Sequence, residues 1–416
     1  MWRCCAGCSF RQYCPKKRRK RKSWYSNQYL DMTILPKTAS VVIIGGGVMG
    51  ASTAYHLACR GLKDVLLIER EPFFGIGSTG RCAGGIRYQF NTDVNIRLSN
   101  ASLPMIDSFE EETGQSALVY KCGYIFVLTC EKDVDVFQKS LVLQHSLGVK
   151  TEWIDIDEIK RITDPCLFPD ALAGTFNADE GLADPNSIVM GYVNSAQKQG
   201  VTCITDCCAT EIILTNNKIS KIKTSLGEIH TECVLNACGP WSAALGKTIG
   251  LEIPVSPLRR QWFVTDSFLA LPAEFPFVID FSQSLYFHRE GSGLLSGMSN
   301  PREIIGEDQS IDSEWELEHI EAALHRMPLL ENTGIITRQA GLYEVTPDAH
   351  PIIGSTPVDG FYLLTGFSGH GFMQGPICGK LMSEILIDGD AYTVDVSMLD
   401  YNRFSENRLI TEYNVV

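Results

Sequence analysis

Apolar positions follow two rhythms along this chain. Unbroken runs such as Val41-Val42-Ile43-Ile44, Val65-Leu66-Leu67-Ile68 and Phe361-Tyr362-Leu363-Leu364 read as short strands covered on both faces. Between the first two, Val48, Ala51, Ala54 and Ala58 recur at helical spacing and predict a helix whose apolar side meets the sheet. Helical patterns also cover 93–112, 131–147, 313–327 and 371–387. A further helix over 185–199 has Asp184 as its cap and Pro185 in its first turn. Strands are expected at 124–128, 201–205, 209–214, 218–224 and 232–236. From 251 to 344 the rhythm turns to alternation. Strands at 261–265, 277–280, 285–289 and 294–297 then predict an antiparallel sheet with one face open to a cavity. Residues 341–354 read as a turn-rich crossing. The expected fold class is mixed α/β. A discontinuous parallel-sheet domain (39–118, 184–254 and 345–388) interleaves with a domain on a largely antiparallel sheet (119–183, 255–344 and 389–416).

Composition narrows this picture. The 416 residues are 44% hydrophobic and 20% charged, enough to bury a large core. No apolar run reaches the roughly 18–20 residues of a membrane span. The net charge of −13 is uneven: residues 1–31 hold nine basic side chains and one acid, a balance of +8, and the rest carries −21. So acidic a body argues against general nucleic-acid binding. The 15 cysteines, mostly in apolar runs, read as reduced thiols of a reducing compartment. Residues 1–38 stand apart, with Cys4, Cys5, Cys8 and Cys14 ahead of a basic run at 16–22. A metal knuckle, a nuclear-localisation signal and an organellar presequence are weighed against a disordered tail, or upstream sequence before a true start at Met32. The tail reading is preferred, because the cysteines lack a second pair at zinc spacing, and no metal site is expected. The cytoplasm is then the expected compartment, with the mitochondrion as alternative if the basic segment is a targeting signal.

The chemistry gathers where strands run into glycines. Gly45-Gly46-Gly47-Val48-Met49-Gly50 follows the first strand, opens the helix, and is answered by Glu69 after the second strand. This is the dinucleotide fingerprint in its structural context. Gly45 permits the turn, Gly47 lets a pyrophosphate approach, and Gly50 lets helix and strand pack closely. Val48 and Met49 offer helix-start N–H groups to phosphate, and Glu69 with Arg70 lies at the ribose. The fingerprint alone leaves NAD and FAD open. A second glycine-rich stretch, 75–90, sets Ser78, Thr79, Arg81 and Arg87 just beyond the ribose strand. Two later strands also end in small residues and a helix start: Asn236-Ala237-Cys238-Gly239 and Gly366-Phe367-Ser368-Gly369-His370-Gly371-Phe372. Three such junctions suggest one long ligand gripped by three segments, more than a nicotinamide cofactor usually requires.

These motifs, with Thr346-Pro347-Asp348, resemble those of FAD-dependent amine oxidoreductases of the D-amino-acid oxidase superfamily, over about residues 39–416. Sarcosine oxidase β subunits and archaeal-type L-proline dehydrogenase β subunits are most similar in pattern. The resemblance implies a glutathione-reductase-type FAD-binding Rossmann domain. Ser78, Thr79 and Arg81 would line the pyrophosphate and flavin, Thr210 the adenine side, and Ala237 and Gly239 the same ligand. Gly369, His370, Gly371 and Phe372 would approach the isoalloxazine ring. Arg87 is implied as the anchor of a substrate carboxylate, with Tyr286, His288 and Arg289 on a strand over the flavin face.

This sequence also departs from the pattern. Gly341 stands where monomeric sarcosine oxidases attach FAD to cysteine, and Gly80-Arg81 where dimethylglycine-type relatives attach it to histidine, so noncovalent FAD is expected. Leu295 replaces an oxygen-activating lysine, which favours a dehydrogenase over an oxidase. Met373 replaces a carboxylate-binding lysine, so that site must differ or the substrate lack a carboxylate. The expected activity is oxidation of a secondary amine or amino acid, such as sarcosine or proline, to an imine. Electrons would pass to oxygen, quinone, or a partner flavin or iron–sulfur subunit. The alternatives are a flavoprotein that assists respiratory-complex assembly with little turnover, and an NAD-dependent dehydrogenase.

Overall fold

The computed structural model describes residues 35–415. The basic cysteine-bearing segment therefore lies outside the described residues, except that Thr38 bridges to His230 beside the strand Gly227–His230.

Among the described residues the central sheet has six strands. Their order is Ile352–Ser355, Phe361–Thr365, Val234–Asn236, Val41–Ile44, Val65–Ile68 and Thr202–Ile204. All neighbours run parallel except the edge strand Ile352–Ser355. The β-branched runs sit here because both faces are covered: all four residues of Val41–Ile44 and of Val65–Ile68 are buried. The helix Val48–Cys59 fills one face and is buried nearly all round, since Pro185–Lys198 and Gly371–Asp388 pack against it. Gly375 and Gly379 allow that close crossing. A Cβ on them would stand 2.5 Å from Val48 Cγ2 and 2.2 Å from Ser52 Oγ. Asp184 caps Pro185–Lys198 by accepting from Ser187 N at 2.6 Å.

The second large sheet has eight strands and is antiparallel except where Phe277–Asp280 runs parallel to Tyr124–Leu128. Its long pair, Ser256–Thr265 with Ile335–Val345, stands over the glycine junctions of the first sheet. The architecture is thus mixed α/β with a parallel and a largely antiparallel sheet, as the apolar rhythm predicts.

Some expectations change. Residues 341–345 end the eleven-residue strand Ile335–Val345, with Gly341 opposite Arg260, and only the stretch after them turns. The helix expected over 93–112 breaks at Ser108 into Asp93–Asp107 and Phe109–Thr113, four residues after Pro104. Among the described residues the eleven cysteines are all unpaired, but only Cys166, Cys207 and Cys378 are buried, whereas Cys59, Cys130 and Cys208 are exposed.

Candidate active site

Two junctions meet at the centre of the parallel sheet. Gly45 has φ +111°, and a Cβ there would stand 2.3 Å from Ala237 O, so only glycine fits. The third junction is tied in by a residue that sequence reasoning passed over, Glu344. Its carboxylate accepts from Gly366 N and Thr365 Oγ1, both at 2.8 Å, while Thr365 Oγ1 also lies 2.8 Å from Ser242 Oγ. Burial raises the Glu344 pKa.

These junctions open into a cavity of about 600 Å³ that continues beneath the antiparallel sheet. One end holds Gly45, Gly47, Val48, Met49, Glu69, Arg70 and Thr210. Glu69 accepts from Gly46 N at 2.7 Å and Glu71 N at 2.9 Å, which fixes its carboxylate at the strand end with acceptor capacity to spare. Arg70 lies over the Trp241 ring at 3.8 Å. Val48 N donates to Thr79 Oγ1 at 3.2 Å, so the Thr79 hydroxyl crosses the start of the helix. Gly50 lies behind this wall, where a Cβ would meet Gly45 O at 2.0 Å.

The middle holds Ser78, Arg81, Ala237 and Gly239. Ser78 Oγ donates to Leu342 O and Arg81 Nη1 to Ala340 O, both at 2.7 Å, and Trp262 Nε1 donates to Arg81 O at 2.8 Å. The glycine-rich loop is thereby fastened to the antiparallel sheet. A Cβ on Gly341 would stand 2.9 Å from Arg81 Cβ, so the loop occupies the space a larger residue would need.

The far end holds Gly369, His370, Gly371 and Phe372, with Arg87, Tyr286, Tyr124, Tyr343, Phe277 and Arg260. Gly369 has φ +102° and passes against the Tyr343 ring. His370 is 3% exposed, and neither ring nitrogen has a hydrogen-bond partner. Burial, with Arg87 nearby, pushes its pKa well below the ordinary histidine value, so the ring is neutral. Arg87 is buried, donates through Nη1 to Gln89 O and through Nη2 to Asn414 O at 2.6 Å, and lies over Phe90. Its other N–H groups remain available.

The strand Leu285–Glu290 divides the expectation placed on it. Tyr286 lines the cavity, lying across Gly297, where a Cβ would be 2.1 Å from its hydroxyl. His288 is buried against Phe277 at 4.9 Å and does not line the cavity. Arg289 points to Leu271 O and Pro272 O and does not line it either. Thr346 and Asp348 are framework as well: Thr346 Oγ1 donates to His350 O, and Asp348 forms a buried two-pronged pair with Arg403 at 2.8 and 3.0 Å. Arg260, Trp262 and Tyr343 were missed. The one available sign was their alternation along strands over the cavity.

Such a groove, with an acid at one end, a glycine-walled waist and a desolvated cationic end, defines an FAD-dependent oxidoreductase. The cradle at Gly45 and Gly47, the fixed Glu69 carboxylate and the unpartnered His370 nitrogens fit that cofactor. The chain belongs to the DAO family, described as FAD dependent oxidoreductase, which matches residues 40–385. This closes the NAD alternative. Human mitochondrial sarcosine dehydrogenase is 30% identical over 399 residues, covering 91% of this chain and 43% of that protein. The chain thus spans less than half of that relative. FAD-dependent oxidoreductase domain-containing protein 1 of Xenopus laevis is 30% identical, covering 92% of this chain and 85% of that protein. The crystal structure of L-proline dehydrogenase from P. horikoshii superposes with a TM-score of 0.84 at 31% identity, over 90% of this chain and all of that one.

Proposed function

We infer that this chain is a dehydrogenase that oxidises the C–N bond of a secondary amine or amino acid, with FAD held noncovalently. The observation that carries the reading is one continuous cavity joining Glu69, the glycine waist and the Arg87 end. FAD held along this cavity would supply a hydride acceptor for the carbon next to the amine, giving an imine that water would hydrolyse. The residues 39–118, 184–254 and 345–388 would hold the cofactor, and 119–183, 255–344 and 389–416 would cover the substrate. Arg87 would anchor a carboxylate through its remaining N–H groups, despite Met373 in place of the second cation. Tyr124, Tyr286, Tyr343 and Phe277 would exclude water and orient the substrate. Neutral His370 adds no charge there, whereas the Arg87 cation favours the unprotonated amine from which a hydride can leave. The start of the long helix at Gly371 would stabilise negative charge at that end. Leu295, buried and outside the cavity lining, supplies no cation at the position where monomeric sarcosine oxidases carry lysine, which supports another acceptor, such as a partner flavin or iron–sulfur subunit. The likeness to human mitochondrial sarcosine dehydrogenase supports the mitochondrion as compartment, with the basic N-terminus as targeting segment.

The purified protein, reconstituted with FAD, should show a flavin spectrum that is bleached anaerobically by at least one of sarcosine, proline, other N-alkylated amino acids, glycine or D-amino acids. Reoxidation by a dye should outpace reoxidation by oxygen. A protein that binds FAD and is bleached by none of them would favour the alternative, the assembly role.

A further inference from the structure

Arg260 lies on Ser256–Thr265, two residues before Trp262 on the same face, and both line the cavity. Its side chain donates to Arg259 O at 3.0 Å, lies 5.2 Å from the Tyr343 ring centroid, and keeps a buried Nε with no partner. The nearest acid acting on it, Glu303, is taken by Arg259 through two bonds at 3.0 and 3.2 Å. Arg87 acts on Tyr343 from within the same cavity. Two guanidinium groups thus share one aromatic-walled space, and both are desolvated enough to lower their pKa values. A guanidinium stays charged, and desolvated charge is costly unless an opposite charge meets it.

The acids behind Arg87 do not answer Arg260. Glu180 and Glu412 act on Arg87, and Glu344 faces the third junction. Arg260 therefore stands at the cavity end without an acid of its own, with its buried Nε still unpartnered.

We propose that Arg260 is a second anion anchor, and that the substrate is a secondary amine with a carboxylate on each of its two arms, one held at Arg87 and the other at Arg260. This rests on the reading of the cavity as an amine site. It places the nitrogen between the anchors, over the wall formed by Tyr343 and Tyr286.

The test uses ether analogues, in which oxygen replaces the amine so that no oxidation occurs. Oxydiacetate and its longer homologue 3-oxaadipate carry two carboxylates, and methoxyacetate carries one. Titration of the FAD-loaded protein, read by flavin absorbance and by calorimetry, should show the better diacid binding at least ~10-fold more tightly than methoxyacetate. Arg260→Gln should weaken the diacid more than it weakens methoxyacetate, so that the preference is lost, while Arg260→Lys should retain part of it. Equal affinity for the monoacid and both diacids in the wild-type protein overturns the proposal without any variant. So does an Arg260→Gln protein that loses FAD affinity while keeping the diacid preference, which would assign Arg260 to the cofactor. Anaerobic reduction tests the underlying reading separately. Bleaching by sarcosine without diacid preference sinks only the second anchor. Diacid preference without bleaching by iminodiacetate or any other amine sinks only the amine chemistry.

Discussion

Glu180 lies behind Arg87, buried, and accepts from Tyr88 N, Gln89 N and Gln89 Nε2 at 2.5, 3.0 and 2.7 Å. Burial outweighs these bonds and the nearby guanidinium, and its carboxyl is pushed up to about 7 from an ordinary 4.5. The unfolded chain releases this proton first as pH rises. The contribution to stability is therefore complete below about 4.5 and is lost as pH rises through about 7, amounting to about 3 kcal/mol at most. Glu180→Gln, neutral throughout, should flatten this slope. Urea denaturation at about pH 5 and about pH 8 would show it, and parallel slopes for both proteins would refute it. At this scale the fingerprint residues were legible because each glycine answers a local steric demand. Glu180 and Arg260 were not, since an acid in a turn between two strands and a base in an unremarkable strand acquire their meaning from what the fold stacks against them.

Between elements, the crossing of Val48–Cys59 with Gly371–Asp388 sets the distance between the two helix starts that face the cavity. A methyl on Gly379 would meet Ser52 Oγ at 2.2 Å and the Ser52 backbone carbonyl carbon at 2.6 Å, and the backbone cannot rotate aside. Gly379→Ala should cost about 1–3 kcal/mol and loosen FAD. Thermal melting with and without added FAD checks both effects, and an unchanged protein would show that the tight crossing is dispensable. Apolar periodicity located these helices because they are long and buried on several sides. It failed at Ile335–Val345, where Gly341 and the following Thr-Pro-Asp suggested a turn, yet pairing with Ser256–Thr265 holds the segment extended.

Across the whole molecule, Glu412 gathers four donors: Asn91 N, Asn414 N, Thr92 Oγ1 and Asn95 Nδ2, at 2.6–3.1 Å. This knot holds the segment whose Asn414 O receives Arg87 and whose Val415 lines the cavity. Glu412→Ala should destabilise the fold by about 2–4 kcal/mol and weaken methoxyacetate roughly 10-fold by releasing Arg87. Denaturation and ligand titration separate the two effects, and unaltered affinity would mean that the segment does not set the arginine. None of this was visible along the chain, where Glu412 looks like any acid beyond the last helix. The arrangement of two interleaved sheets was visible, because the change of apolar rhythm marks each passage between them.

Arg87 and Asn414 are 327 positions apart. During synthesis at about 5–20 residues per second, roughly 15–65 s separate their appearance. The nucleotide-recognising turn and its first strands are made early, whereas the grip on Arg87 waits for nearly the last residues described. A growing chain therefore contains its first glycine turn and the strands beside it well before the backbone carbonyl that holds Arg87 exists.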